Sequence, residues 1–175
     1  MTDIDYDAIY EESPQEKAKS ERRMKWHRRY LDVARLVSTW SKDPSTQTGC
    51  VVVDQIGNIV STGYNGFARG VEDTPGRLND RPTKYLYVVH CDTNAIYSAA
   101  RRGVSLVGCT MYLTGPPCNE CMKGIVQSGI EQVCWPEDNP FEKDPATQAR
   151  WQVSIDATFN MAREGGVHFT RVPAA

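Results

Sequence analysis

From Glu21 to Trp40 apolar residues recur at helical spacing, with Met24, Tyr30, Leu31, Ala34, Val37 and Trp40 on one side and Arg22, Lys25, Arg28, Arg29 and Arg35 filling much of the other. This pattern predicts an amphipathic helix that stops before Pro44, which disfavours helical geometry in the residue ahead of it. The period then shortens to that of strands. Gly49 to Asp54 and Asn58 to Thr62 flank Gln55-Ile56-Gly57 and predict a hairpin. Further on, the spacing predicts a helix over Asp92 to Arg102 with Gly103 as its C-terminal cap, then a buried strand over Cys109 to Thr114. Gly115-Pro116-Pro117 breaks that strand. A helix over Cys118 to Ser128, a strand over Gln132 to Trp135, a helix over Ala146 to Glu164 and a strand over Val167 to Arg171 complete the alternation. Strand and helix in turn imply crossovers in a sheet covered by helices, an α/β class of fold.

Three stretches lack such a pattern. Met1 to Ser20 carries Asp3, Asp5, Asp7, Glu11 and Glu12 and is expected to be a loosely docked acidic arm, so the chain divides into an arm over 1–20 and one domain over 21–175. Gly63-Tyr64-Asn65-Gly66 has two readings, a tight turn with positive φ or a loop presenting the Asn65 amide to a polar ligand. Phe67 to Tyr85 is rich in Gly, Pro, Asp and Arg and is expected to be a long functional or mobile loop.

Composition narrows the partner. The 175 residues, 40% apolar and 24% charged with a formal net charge of −2, fit one globular domain with its own core. No apolar run is long enough to span a bilayer, and the first residues are acidic, which gives an expectation of a cytoplasmic protein without membrane contact. The slight negative charge gives no general pull towards polynucleotide, so a small molecule is the expected partner. Six cysteines without a secretory signal indicate reduced thiols. Cys50, Cys109 and Cys134 lie in strand-like runs as small core residues, His27 reads as a surface or boundary residue, and His168 as structural.

The remaining chemistry converges on His90 and on Pro117-Cys118-Asn119-Glu120-Cys121. A lone C-x-x-C is a weak signal, shared with redox pairs and structural zinc. A histidine one helix and one strand ahead of it strengthens the case for Zn2+ held by His90, Cys118 and Cys121, with a fourth place left open as in catalytic sites. Both ligand groups fall at helix starts, where the partial positive charge favours thiolate. Cys91 is the alternative fourth ligand of a closed structural site, but successive helical residues diverge by roughly 100°. An open place would hold a water made acidic by the metal, and Asp92 is positioned by sequence to take its proton.

The pattern H-x-acid…P-C-x-x-C is similar to that of the zinc-dependent nucleobase deaminases. Together with Ser41-Lys42-Asp43-Pro44-Ser45, Thr48 to Val53, Gly63-Tyr64-Asn65-Gly66, Gly108 to Tyr112 and Ser128-Gly129-Ile130, it resembles the deoxycytidylate deaminases of the cytidine/deoxycytidylate deaminase family over about residues 24 to 135. The resemblance implies a three-layer α/β/α domain with a central mixed sheet and hydrolysis of dCMP to dUMP and ammonia. It also implies a homo-oligomer, often a hexamer, and effector control by dCTP and dTTP, with Mg2+ accompanying the triphosphate. It assigns Asn65 to the sugar-phosphate, the Cys91 backbone N–H to the pyrimidine carbonyl, the Pro116 carbonyl to the leaving amino group, and Arg101 to the nucleotide's vicinity or a subunit boundary. Two positions depart from the family, which has Glu at Asp92 and usually Ala at Cys91. Asp is one methylene shorter, and a misplacement of about 1 Å can cost on the order of 10²-fold in rate. An inward-shifted backbone, an altered nucleobase or nucleotide substrate, and a low-activity nucleotide-binding regulatory protein are the three expectations left open by that change.

Overall fold

The computed structural model describes residues 13–138 and 145–174, with the side chains of 145–148 and 150 left aside. The expected acidic arm therefore lies largely outside the described residues. Helix α1 spans Pro14–Ser38, opening well before Glu21. Ser13 and Glu16 explain the early start: the Ser13 hydroxyl accepts from the Glu16 N–H while the Glu16 carboxylate accepts from the Ser13 N–H, and Pro14 takes the first helical position. Only the second half of α1 buries a face, through His27, Leu31, Ala34 and Val37.

Strands β1 (Gly49–Val53) and β2 (Ile59–Tyr64) form the expected hairpin. Strand β2 continues through Tyr64, and neither Asn65 nor the flanking glycines adopt positive φ, which removes the tight-turn reading. The stretch expected to be a long loop instead holds α2 (Pro75–Asn79) and most of α3 (Arg81–Tyr87), between the two short strands β3 (Gly66–Phe67) and β4 (Val88–Val89). Thr74 and Asp80 cap the two short helices, and a Pro sits in the first turn of each. Then follow α4 (Cys91–Arg102), β5 (Thr110–Leu113), α5 (Asn119–Gln127), β6 (Gln132–Pro136), α6 (Pro145–Glu164) and β7 (His168–Val172). Gly103 ends α4 in the left-handed conformation at φ 68°, as expected of a C-terminal cap.

The five-stranded sheet runs β2-β1-β5-β6-β7, antiparallel through β5 and parallel from β5 to β7. Alternation along the strands sorts side chains to two layers. Val51, Val53, Tyr112, Cys134 and Val172 pack against α1, while Cys50, Val52, Met111, Leu113, Val133 and Trp135 share a core with α4, α5 and α6. The result is α/β/α with a mixed sheet. Each large apolar side chain so buried contributes roughly 1.5–3 kcal/mol. Cys50, Cys109 and Cys134 are core residues as expected. His27 is not a surface residue: it is buried under α1, 2.9 Å from the Tyr112 hydroxyl and 3.8 Å from Cys134 Sγ.

Candidate metal centre and cavity

The sheet positions α4 by close backbone contact. Gly63 of β2 lies against the Cys91 carbonyl and the Ala95 amide, so that a Cβ there would collide with both. Ser61 Oγ donates to the Ala95 carbonyl at 2.7 Å, and Asn94 Nδ2 donates to the Tyr64 carbonyl at 2.8 Å. These contacts fix the first turn of α4 beside α5. His90 is the N-cap residue of α4 and Cys118 that of α5, and neither makes a side-chain capping bond.

Three ligand atoms meet there. His90 Nδ1 is 3.5 Å from Cys118 Sγ and 3.3 Å from Cys121 Sγ, and the two sulfurs are 3.5 Å apart. A face of a tetrahedral site with Zn–S of ~2.3 Å and Zn–N of ~2.0–2.1 Å has edges of roughly 3.5–3.8 Å. The triangle fits zinc without rearrangement beyond a few tenths of an ångström. Its protonation fits as well. The hydrogen bond from Cys121, with help from His90, draws Cys118 down to about 4, while the same sulfur–sulfur bond and burial push Cys121 up. His90 is raised by its bond to Cys118 against the opposing effect of burial. The cluster thus carries protons that a divalent cation would displace. Thr93 Oγ1 donates to Cys121 Sγ at 3.4 Å, an outer partner that steadies a ligand sulfur and carries no motif of its own.

Asp92 is buried beside these ligands. Its Oδ1 accepts from the Thr93 N–H at 2.8 Å, and its carboxyl is hydrogen-bonded to Cys121. Burial is the main influence on this carboxyl and holds it above the usual carboxylate range. Cys91 is also buried, with burial followed by the Asp92 charge pushing its thiol up, and it stands outside the His90, Cys118 and Cys121 group whose ligand atoms lie within 4.8 Å of one another.

His90, Cys91, Asp92, Pro116 and Cys118 line a cavity of about 940 Å³. Its two ends differ in chemistry. Asp43, Ser45, Thr46, Arg81 and Lys84 make a polar end, and Trp135, Ile155, Phe159 and Phe169 an apolar, mainly aromatic one. Asn65 reaches the lining too, but its amide is tied to the neighbouring loop: Oδ1 accepts from the Thr48 N–H at 2.7 Å and Nδ2 donates to the Thr46 carbonyl at 2.8 Å. Arg101 is exposed in the last turn of α4 and is not part of the lining. Lys84, which the sequence reading passed over, donates to Asp43 Oδ1 at 3.0 Å and to Ser45 Oγ at 2.7 Å.

A histidine and two cysteines with one place open, set at two helix starts on the floor of a cavity, define a mononuclear zinc enzyme on an α/β/α domain. A family model for the zinc-binding region of cytidine and deoxycytidylate deaminases matches residues 24–136. An uncharacterised deaminase of Aliivibrio fischeri is 38% identical over 149 residues, covering 85% of this chain and 95% of that protein. Human deoxycytidylate deaminase is 39% identical over 153 residues, covering 85% of this chain and 80% of that enzyme. The dCMP deaminase of cyanophage S-TIM5, solved with dCMP and dUMP, superposes with a TM-score of 0.59 at 24% identity over 92% of this chain and 99% of that one, which bears out the fold. The chain belongs to the cytidine and deoxycytidylate deaminase family. Among the described residues no helix is long and apolar enough to cross a membrane.

Proposed function

We propose that this protein hydrolyses the amino group of a deoxycytidine nucleotide, converting dCMP and water to dUMP and ammonia. The observation that carries the reading is the buried Asp92 carboxyl against Cys121, beside three ligand atoms spaced for zinc. When bound, the ion acidifies a water in the open place and so supplies a nucleophile near neutral pH. The chain's own residues supply the rest. Asp92 takes one proton from the attacking water and gives it to ring N3, then moves the second to the amino group, so that the C4–N bond breaks as the C4 carbonyl forms. Burial holds this carboxyl above its usual range, which makes its carboxylate a better proton acceptor than a solvated one. The Cys91 N–H at the start of α4 would hold the pyrimidine carbonyl, and the Pro116 carbonyl would accept from the departing amine. Asn65 would meet the sugar-phosphate from the wall that its own hydrogen bonds hold in shape. Purified, zinc-loaded protein releasing ammonia from dCMP is the test; no release from dCMP, dCTP or deoxycytidine sinks the reading.

The short side chain of Asp92 supports a second reading, a nucleotide-binding regulatory protein with little turnover. Tight dCMP binding without ammonia release, with activity gained in Asp92→Glu, would select it. The family resemblance and exposed Trp40, Leu86 and Tyr97 support a homo-oligomer, a hexamer by that resemblance, with Arg101 at a subunit boundary. Effector control by dCTP or dTTP with Mg2+ rests on the resemblance alone. Sedimentation with and without these triphosphates tests both.

A further inference from the structure

The two halves of α6 meet the domain by different means. The C-terminal half relies on apolar packing: Met161 and Ala162 join the core shared with α5, and Gly165 lies against the Val126 side chain. Among the described residues of α6, none before Thr158 is buried. The earlier half is tied by a polar contact instead. Gln152 donates to Asp156 and Arg163 to Asn160, all within α6, whereas the Ser154 side chain reaches across to the first residue of α5.

That contact is reciprocal. Ser154 Oγ accepts from the Asn119 N–H at 3.1 Å and donates to Asn119 Oδ1 at 2.9 Å. A hydroxyl can do both at once, so one oxygen of α6 grips backbone and side chain of the same residue. The Asn119 N–H is among those that a helix start leaves without an intrahelical acceptor, and α6 supplies the acceptor.

Asn119 directly follows the ligand Cys118, and Trp151, Ser154 and Ile155 of α6 line the same cavity as Cys118. The ligand triangle closes only while two helix starts keep their separation, because His90 caps α4 and Cys118 caps α5. Gly63 and Ser61 hold the α4 side, as described above. We propose that Ser154 is the corresponding positioning residue on the α5 side: its hydroxyl, shared with Asn119, keeps Cys118 in reach of His90 and couples that ligand to the cavity wall formed by α6. The role rests on the zinc site and not on the choice of nucleotide.

The test compares the full native chain with Ser154→Ala, which removes both bonds, Asn119→Ala, which removes one, and Ser154→Thr, which keeps the hydroxyl. Zinc affinity, read by competition with a chromogenic chelator, should weaken about tenfold in Ser154→Ala, less in Asn119→Ala, and recover in Ser154→Thr. The visible absorption bands of the Co2+-loaded protein should shift in the same order. The double variant Ser154→Ala/Asn119→Ala should be no weaker than Ser154→Ala alone, since the second change has no remaining bond to remove. Native zinc affinity and a native Co2+ spectrum in Ser154→Ala, with only thermal stability lowered, overturn the proposal, and so do additive losses in the double variant. With zinc saturating, kcat on dCMP should follow the metal readouts. If those readouts keep the expected order while no form releases ammonia, the positioning role stands and the deaminase reading falls.

Discussion

Lys84 Nζ lies 3.0 Å from Asp43 Oδ1 with both side chains nearly sealed from solvent, which ties α3 to the loop forming the polar end of the cavity. Asp43 Oδ1 also accepts from the Ser45 and Thr46 N–H groups. Lys84→Met strands a buried carboxylate and should cost about 3–5 kcal/mol in urea unfolding. Adding Asp43→Asn should recover part of the loss. A single-variant cost below about 1 kcal/mol would show that the pair behaves like a surface contact.

Asp92→Asn keeps the shape and loses the proton carrier. Its kcat on dCMP should fall by about 10²-fold or more, with one zinc per chain still measured by atomic emission. Unchanged turnover removes Asp92 from the acid–base role, and lost zinc shows that its part is structural.

His27 gives stability a dependence on pH. Burial, followed by the nearby Arg23 charge, holds it below its ordinary range. The unfolded chain therefore binds a proton that the native state resists. Stability is complete above about pH 6.5 and is lost as pH falls through that region towards the lower folded value. Urea midpoints from pH 8 to 5 should drop more steeply in the native chain than in His27→Gln; parallel slopes would place the acid sensitivity elsewhere.

Gly63→Ala drives a methyl into the α4 backbone at Cys91 and Ala95. Overpacking of this kind costs typically ~1–3 kcal/mol, and here the displaced turn begins at a metal ligand. Zinc affinity should weaken along with thermal stability. Full affinity in a destabilised variant would mean that the ligand cluster tolerates movement of α4.

The legible parts of this chain are those whose signals are local. The hairpin, the helices that carry the ligands and the His90-Cys118-Cys121 set follow from period, breakers and spacing. The start of α1 was written in Ser13-Pro14 and Glu16, yet the first turns expose every side and so show no apolar stripe. Helices α2 and α3 are too short for periodicity, and only Thr74-Pro75 and Asp80 mark them. The Lys84–Asp43 pair, the burial of His27 against Tyr112 and the approach of Gly63 to α4 join residues far apart in sequence. Nothing near any of these residues announces the partner.

His90 and Cys118 occupy capping positions without capping their helices. Neither helix start is thus fastened by its own N-cap side chain, and an ion held by both would be a common fastening for the two. Amide exchange in the first turns of α4 and α5 then becomes a gauge of metal occupancy that needs no substrate, with the two helices loosening together when the ion is withdrawn.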